Sequence, residues 1–188
     1  MLISKEYKEQ MLQMHRDKAH FGKGGNRWAG LVWQLCMDLD TTSVLDYGCG
    51  KGELRLHLPW DVKCYDPGIP KHSASPDKAD IVICTDVLEH IEPDLLQDVL
   101  RHIASLTHKV AILNINHQPA AKTLPDGRNA HLIQRPLDWW RVRLIAFTGW
   151  GEVACEQRFV QVVDEQGVKT PHPDGLVYDT TLVLRRNA

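Results

Sequence analysis

The sequence predicts an α/β fold built on a mostly parallel sheet, and two observations carry this prediction. Short apolar runs alternate with segments of helical periodicity through most of the 188 residues, as they do in strand–helix–strand units. The run ADIVICTD contains the unbroken apolar stretch IVIC, which is typical of a parallel strand covered on both faces. We therefore expect a three-layer α/β sandwich with two antiparallel strands near the C-terminal end of the chain.

The first 40 residues predict two helices that cap the rest of the chain. Residues 4–18 carry a thin apolar face, and residues 27–39 carry a broader one at helical spacing. The glycine-rich stretch HFGKGGN, residues 20–26, separates them and could act either as a lid or as a plain linker. We expect a single domain, with residues 1–40 as the helical cap and residues 41–188 as the core.

The core opens with the apolar run SVLDYG, which predicts a buried strand, and KGELRLHL then predicts a short helix that Pro59 ends. The run DVKCYDPG predicts a second strand that ends at Asp66. After ADIVICTD, Pro93 suits the first turn of a strongly amphipathic helix. KVAILNIN predicts the next strand and PLDWWRVRLIAF a helix. EVACEQRFVQVV and GLVYDTTLVLRR predict the antiparallel pair.

Composition and charge argue against several classes of protein. The formal net charge of −2 gives no overall attraction to nucleic acid or to membranes. The five cysteines include no Cys-x-x-Cys pair, as expected of a reducing, cytoplasmic compartment. We expect no signal peptide, because the N-terminus lacks a continuous apolar stretch. No apolar run approaches the roughly 20 residues that span a bilayer.

The stretch VLDYGCGKGEL, residues 44–54, places three glycines at alternate positions behind an aspartate. Glycine between a strand and a helix lets the backbone approach a ligand closely, and open parallel sheets bind ligands at the carboxyl ends of their strands. A phosphate-binding loop needs G-x-x-x-x-G-K-[ST], which this chain lacks. A dinucleotide-binding loop needs G-x-G-x-x-G, but Glu53 stands where the third glycine would fall, close to a pyrophosphate.

The pattern D-x-G-x-G-x-G from Asp46 to Gly52 resembles motif I of the class I S-adenosylmethionine-dependent methyltransferases. Asp66 lies 18 residues past Gly48 at the end of the next predicted strand, where that family has its ribose-binding acidic residue. The segment ADIVICTDVLEHIEPD, residues 79–94, resembles the family's fourth-strand region. These motifs occur in the family's order. The resemblance implies a Rossmann-like fold, S-adenosylmethionine as cofactor and methyl transfer as the reaction.

The resemblance also implies roles for individual residues. Gly48 and Gly50 would let the backbone meet the methionine part of the cofactor, and Asp66 would accept hydrogen bonds from both ribose hydroxyls. Asp46 would orient the turn or bind the cofactor's ammonium group. Asp86, Val87 and Leu88 would flank the methionine or adenine side of the cofactor. The full expected set is Asp46, Gly48, Gly50, Gly52, Asp66, Asp86, Val87 and Leu88.

The chain departs from the family between Asp66 and Asp80. The family places a helix and a third strand in this interval, but the short, proline-containing segment here cannot hold both. We therefore expect the third strand to be missing and a polar loop to replace it. Asp77 is the one acidic residue inside this interval, so the residue that contacts the adenine stays open.

Methyl transfer to a hydroxyl needs a group that removes the proton, and histidine is the usual one. Three of the ten histidines follow strands or loops on the carboxyl side of the sheet, namely His131, His90 and His117. His131 is the first candidate because its loop, DGRNAHLIQRPLDWW, is polar and leads into a helix. Each of them could instead be a hydrogen-bonded structural residue. Together with Glu89 they could also bind Mn, Fe or Zn, but their loose spacing favours a site without metal.

We expect methyl transfer to an oxygen or nitrogen atom of a small-molecule metabolite, with no membrane partner. Trp139 and Trp140 fit core and rim positions better than a substrate cage. A nucleic-acid methyltransferase is an alternative that the basic residues between positions 122 and 143 support. The net charge and the lack of a recognition domain oppose it. A catalytically silent module that binds S-adenosylmethionine is the third possibility.

Overall fold

The structure, a computed structural model, describes residues 1–18, 22, 24–163 and 166–186. Its α-helices are α1 (Lys5–Asp17), α2 (Ala29–Asp38), α3 (Leu96–Leu106) and α4 (Leu137–Thr148). Its strands are β1 (Val44–Tyr47), β2 (Lys63–Tyr65), β3 (Ala79–Thr85), β4 (Thr107–Asn116), β5 (Trp150–Phe159), β6 (Gln161–Val163), β7 (Lys169–Pro171) and β8 (Val177–Arg186). Short 3-10 helices cover Gly25–Trp28, Leu54–His57, Pro70–His72, Leu88–His90 and Pro93–Leu95.

Six strands form the main sheet in the order β2-β1-β3-β4-β8-β5. The pairs β1–β2, β1–β3 and β3–β4 are parallel, whereas β8 runs antiparallel to both of its neighbours, β4 and β5. Asp46 is in register with Cys64 on one side and Ile83 on the other, so the carboxyl ends of three parallel strands meet at one edge. This arrangement confirms the mostly parallel sheet with an antiparallel C-terminal pair.

Helices cover the sheet on both faces. On one face α3 and α4 pack through residues that include Leu100 and Trp140. On the other, α2 packs through Val32 and Cys36. All four side chains are fully buried, and burial of a large apolar side chain stabilises a fold by roughly 1.5–3 kcal/mol. The two helical layers and the sheet form the three-layer, Rossmann-like sandwich expected from the sequence.

The interval between β2 and β3 contains no further strand. Within it the structure has only the short 3-10 helix Pro70–His72 and irregular backbone. Strand β2 is consequently the edge of the main sheet. The prediction of a missing third strand is confirmed, and Asp77, 92% exposed at its side chain, pairs with Lys63 at 3.7 Å on the surface.

The C-terminal strands differ from the prediction at one point. The sequence predicts one strand over residues 152–163, but β5 ends at Phe159 and β6 pairs instead with β7 in a separate two-stranded sheet. The break is at Val160, whose amide donates to the Leu176 carbonyl and whose carbonyl accepts from the His172 amide, both at 2.8 Å. These bonds turn the chain out of the main sheet. Strand β7 has three exposed residues and no apolar alternation, so no sequence pattern predicts it.

Helix α1 packs against the long loop that follows β4. Its Tyr7, Met11 and Met14 form a small core with Leu124 and Ala130. The spacing that predicts an amphipathic helix therefore marks the face that contacts this loop. No helix within the described residues is both long and apolar enough to cross a membrane.

Tyr7 fixes α1 to the rest of the molecule through its hydroxyl, which donates to the His90 carbonyl at 2.7 Å. Burial raises the pKa of Tyr7 well above its ordinary value, so the hydroxyl keeps its proton and remains a donor. We expect Tyr7→Phe to lower the free energy of unfolding by about 1–2 kcal/mol, because it leaves a partly buried carbonyl without this partner. Urea denaturation measures this change. Tyr178→Phe is the control, since Tyr178 is 41% exposed and its change should stay within about 0.5 kcal/mol. Equal effects of the two substitutions would contradict the assignment.

Candidate functional site

A cavity of about 350 Å³ lies at the carboxyl ends of β1, β2 and β3. Its wall combines residues from the ends of these strands with residues from α1 and from the loop after β4. Five of the predicted cofactor-binding residues contribute to its wall: Gly48, Gly50, Asp66, Asp86 and Val87. The structure thus brings together most of the residues that the motifs mark.

The glycine turn after β1 has a backbone that other residues would strain. Gly48 and Gly50 have φ of +77° and +53°, in the left-handed region that favours glycine. A Cβ atom on Gly48 would lie 2.3 Å from Val87 Cγ2, and one on Gly50 would lie 2.6 Å from the Gly22 carbonyl oxygen. The Gly48 amide donates to the Tyr65 carbonyl at 2.7 Å. The turn is therefore held close to β2, with no room for side chains at either glycine.

Asp66 connects β2 to this turn. Its Oδ2 accepts from the Gly50 amide at 3.0 Å, and its Oδ1 accepts from the Gly68 amide at 2.9 Å. Burial raises the pKa of Asp66, while these two amide donors oppose that rise. Each carboxylate oxygen keeps a further lone pair, and the side chain lines the cavity. The carboxylate is therefore placed to receive a pair of hydroxyl groups from a ligand.

Three predicted cofactor residues support the wall from behind instead of lining it. Leu88 is fully buried in the core below α3, and Asp46 is 6% exposed. Gly52 has φ of +73°, and a Cβ on it would lie 3.4 Å from Cys64 Sγ. Burial raises the pKa of Asp46 from 3.8 to about 8, with smaller contributions from Cys64 and Asp66. Burial therefore keeps the Asp46 carboxyl group protonated, and so uncharged, at neutral pH.

The raised pKa of Asp46 predicts a pH-dependent stability. The unfolded chain loses this proton near pH 4, whereas the folded chain keeps it until about pH 8. The folded state binds more protons in this window, so its stability falls as pH rises, by up to about 1.4 kcal/mol per pH unit. We expect Asp46→Asn, which keeps the shape of the neutral acid, to unfold with a flatter pH dependence between pH 5 and 8. Urea denaturation across that range tests it, and parallel profiles for the two proteins would contradict it.

His90 and His131 form a pair in the cavity wall, with ring centroids 4.6 Å apart in an edge-to-face arrangement. His90 Nδ1 lies 2.7 Å from the Ala130 carbonyl oxygen, and His131 Nδ1 lies 2.5 Å from that of Gln118. A carbonyl oxygen only accepts, so each Nδ1 carries a hydrogen, and Nε2 is the nitrogen that keeps a lone pair when the ring is neutral. Burial lowers the pKa of His90 to about 4. This ring is therefore neutral at neutral pH.

Asp86 lies beside this pair. A carboxylate oxygen of Asp86 and one nitrogen of each ring are all within 4.8 Å of one another. Asp86 is exposed and has φ of +57°, an uncommon conformation for a residue other than glycine. The neighbouring Glu89 is fully buried, with Oε1 accepting from the Asn116 amide at 2.6 Å. Within the described residues its Oε2 has no hydrogen-bond partner.

His117, the third histidine that the sequence singles out, is placed elsewhere. Its Nδ1 lies 2.9 Å from the Arg135 carbonyl oxygen and its Nε2 lies 2.9 Å from Thr180 Oγ1. It is not among the described residues that line the cavity. Four residues weighed in the sequence as metal ligands, Glu89 and three histidines, therefore do not assemble as one group. Of these four, His90 and His131 lie together, and Asp86 is the third residue of their group.

Sequence reasoning missed the cavity residues that come from distant segments. They include Tyr7, Met11 and His15 of α1, Lys122 of the loop after β4 and Tyr178 of β8. The apolar spacing of α1 has the same appearance as that of a core helix, so no local signal marks it as a cavity wall. Of the stretch suggested as a lid, residues 20, 21 and 23 lie outside the described residues. Gly22 accepts from the Lys51 amide at 3.0 Å.

The paired tryptophans lie outside the described lining of the cavity, as expected. Trp140 is fully buried in the core that α3 and α4 share. Trp139 packs edge-to-face against it, and the guanidinium of Arg143 lies 3.4 Å from the Trp139 ring centroid. One ring is therefore core and the other is rim.

Comparison with known proteins gives a family and a fold. The sequence profile of a family described as "Methyltransferase domain" matches residues 15–167. A search of curated protein sequences finds no match. The fold is similar to that of the 1,6-didemethyltoxoflavin-N1-methyltransferase of Burkholderia thailandensis, crystallised with its substrate and S-adenosylhomocysteine. That comparison has a TM-score of 0.66 at 14% identity and covers 100% of this chain and 92% of the other.

Two further solved structures share the fold. The magnesium protoporphyrin IX methyltransferase of Synechocystis PCC 6803, crystallised with S-adenosylmethionine, has a TM-score of 0.61 at 15% identity, covering 97% of this chain and 96% of the other. TehB of Haemophilus influenzae has a TM-score of 0.57 at 13% identity. The match covers 84% of this chain but only 62% of TehB.

Proposed function

The chain belongs to the methyltransferase-domain family and is an S-adenosylmethionine-dependent methyltransferase, and from this premise we propose that it methylates an oxygen or nitrogen atom of a small-molecule metabolite. The observation that carries the proposal is that a single cavity contains the glycine turn, Asp66 and the pair His90 and His131. The glycine turn and Asp66 are suited to bind a nucleoside, and the two histidines are suited to take a proton from a methyl acceptor.

We assign the cofactor to the side formed by the ends of β1 and β2. When bound, S-adenosylmethionine supplies a methyl group that its sulfonium sulfur has already activated. Gly48 and Gly50 both line the cavity, and without side chains their backbone can lie against the cofactor. Asp66 receives the ribose hydroxyls on its remaining lone pairs. Asp86 and Val87 flank the cofactor, while Asp46, Gly52 and Leu88 hold the turn and the strand ends in place from behind.

We assign the acceptor to the side formed by α1 and the loop after β4. The Nε2 lone pairs of His90 and His131 are the groups that would hold or receive a proton from the acceptor. Tyr7 lines the same cavity and lies next to this pair, since its hydroxyl donates to the His90 carbonyl. A cavity of about 350 Å³ suits a small molecule better than a polymer.

The basic residues that favoured nucleic acid in the sequence have protein partners. Arg128 pairs with Asp126 at 2.6 Å, and Arg141 pairs with Glu152 at 2.9 Å. Arg143 stacks on Trp139. These contacts leave less charge for phosphate binding, and they support the small-molecule acceptor over the nucleic-acid alternative.

Calorimetry and product analysis test this proposal together. We expect S-adenosylmethionine and S-adenosylhomocysteine to bind in a one-to-one ratio, and NAD not to bind. Incubation with methyl-labelled cofactor and fractionated metabolites should then label a small molecule. Label found only in DNA or RNA would refute the small-molecule assignment, and cofactor binding without any label in either fraction would favour the silent module.

A further inference from the structure

We propose that Cys49, Cys64 and His72 form a binding site for a zinc ion outside the cavity. One sulfur atom of each cysteine and one ring nitrogen of the histidine all lie within 4.8 Å of one another. None of the three is among the described residues that line the cavity. Two thiolates and an imidazole are ligands that zinc prefers, whereas Mg²⁺ and Mn²⁺ prefer oxygen ligands. The site goes beyond the proposed function, which does not depend on it.

Three separate segments bring these ligands together, and backbone hydrogen bonds hold each segment in place. Cys49 lies in the glycine turn, and its amide donates to the Tyr65 carbonyl at 3.2 Å. Cys64 belongs to β2, which pairs with β1 in the main sheet. His72 ends the 3-10 helix after β2, and its carbonyl accepts from the Asp66 amide at 2.9 Å. Each ligand is therefore positioned by an element of the fold.

The polar atoms of this cluster have weak partners, or none, among the residues that the structure describes. His72 Nε2 is buried there without a hydrogen bond. Cys49 Sγ lies 3.8 Å from the Gly50 carbonyl oxygen, and Cys64 Sγ lies 3.8 Å from that of Val62. A thiol is a weak donor, so a metal ion can readily replace these contacts. A buried nitrogen without a partner is uncommon, and binding to an ion would satisfy it.

The surroundings of Cys64 favour the thiolate form that binds zinc. A hydrogen bond from the Cys49 thiol lowers the pKa of Cys64 to about 7, and Arg55 and Lys71 act in the same direction. The same hydrogen bond raises the pKa of Cys49, so this thiol is the one that keeps its proton. Zinc displaces such a proton when it binds. Two thiolates then carry two negative charges, which match the charge of Zn²⁺.

An ion at this position would connect the glycine turn to β2. A Cβ atom on Gly52 would lie 3.4 Å from Cys64 Sγ, so the turn packs closely against this sulfur. Cys64 and His72 are half-buried, so an ion can reach them from the surface, whereas Cys49 is buried. Zinc binds four ligands in a tetrahedron, and three protein ligands leave the fourth position to water. Because the ion links three segments of the chain, we expect its binding to stabilise the folded state.

Zinc binding is measured on protein that has been reduced and freed of metal with a chelator. We expect one Zn²⁺ per chain in competition with a coloured zinc indicator. Co²⁺ in its place should give the near-ultraviolet absorption of sulfur-to-cobalt charge transfer, which requires thiolate ligands. Cys64→Ser and His72→Gln should each weaken zinc binding by at least about tenfold. Cys155→Ser is the matched control and should bind zinc as the unsubstituted protein does, since Cys155 is exposed on β5, at the opposite edge of the main sheet from β2.

Alkylation gives a second measurement that needs no variant. Zinc should slow the reaction of Cys64 with iodoacetamide by at least about tenfold, because a metal-bound thiolate is no longer a free nucleophile. Mass spectrometry of the digested protein reports the rate at each cysteine separately. The exposed Cys155 is the internal control, and its rate should be the same with and without zinc.

Three outcomes would overturn the site. They are no stoichiometric Zn²⁺ binding by the reduced protein, unchanged zinc affinity in both Cys64→Ser and His72→Gln, and equal alkylation rates of Cys64 with and without zinc. A cooperative urea transition shows that each variant is folded. If Cys64→Ser does not fold, His72→Gln and the alkylation of the unsubstituted protein decide the question.

Discussion

Replacing Asp66 with alanine is expected to weaken the binding of S-adenosylmethionine by more than tenfold. The carboxylate lines the cavity and is the group we assign to both ribose hydroxyls. It also accepts from the amides of Gly50 and Gly68, so its loss frees the glycine turn from β2 as well as removing a ligand contact. Losing hydrogen bonds to a charged, buried acceptor costs about 1.5–3 kcal/mol each, which is more than the 1.4 kcal/mol that corresponds to a factor of ten. Isothermal titration calorimetry measures the change.

Two further variants make this measurement decisive. Asp66→Asn keeps one acceptor oxygen and the side-chain shape, so its affinity should fall between those of the alanine variant and the unsubstituted protein. Asp61→Ala removes an exposed carboxylate just before β2 and should leave the affinity unchanged. If Asp66→Ala binds the cofactor as tightly as Asp61→Ala does, the ribose assignment is wrong.

The second large effect is expected at His131, on turnover instead of affinity. His131→Ala removes one of the two free Nε2 lone pairs in the cavity, and we expect turnover to fall by about 100-fold or more. The affinity for S-adenosylmethionine should change little, because we assign His131 to the acceptor side. Steady-state rates with the labelled acceptor and calorimetry with the cofactor separate the two quantities.

His117→Ala serves as the comparison for this experiment, since both of its ring nitrogens bond to protein groups outside the described cavity lining. If His117→Ala lost as much turnover as His131→Ala, the loss in both variants would be explained by a less stable protein and not by a role of His131 in the reaction. Unchanged turnover in His131→Ala would make His131 a structural residue.

The core of the fold could be predicted because its signals are local. The apolar stretch of β3, the glycine turn after β1 and the short interval before Ala79 each impose their structure within a few residues. The break at Val160 could not be predicted, since it depends on hydrogen bonds to Leu176 and His172 that are remote in the sequence. A continuous β-forming stretch gives no sign of such a break.

The candidate site shows the same division between local and remote information. Gly48, Gly50 and Asp66 lie in motifs, so their place in one cavity follows from the topology of a parallel sheet. The grouping of His131 with Asp86 depends on how the loop after β4 folds back over the sheet, and that path is set by contacts with α1. Spacing along the chain carries no information about it.

The covering of the cavity by α1 has a consequence for altering this enzyme. The residues assigned to the cofactor belong to the sheet edge, whereas Tyr7, whose hydroxyl donates to the His90 carbonyl, belongs to α1. Under the assignment we propose, part of the acceptor side is thus encoded outside the motifs that form the cofactor turn. Substitutions at Tyr7 are therefore the first to try when a new methyl acceptor is sought, with stability followed alongside turnover.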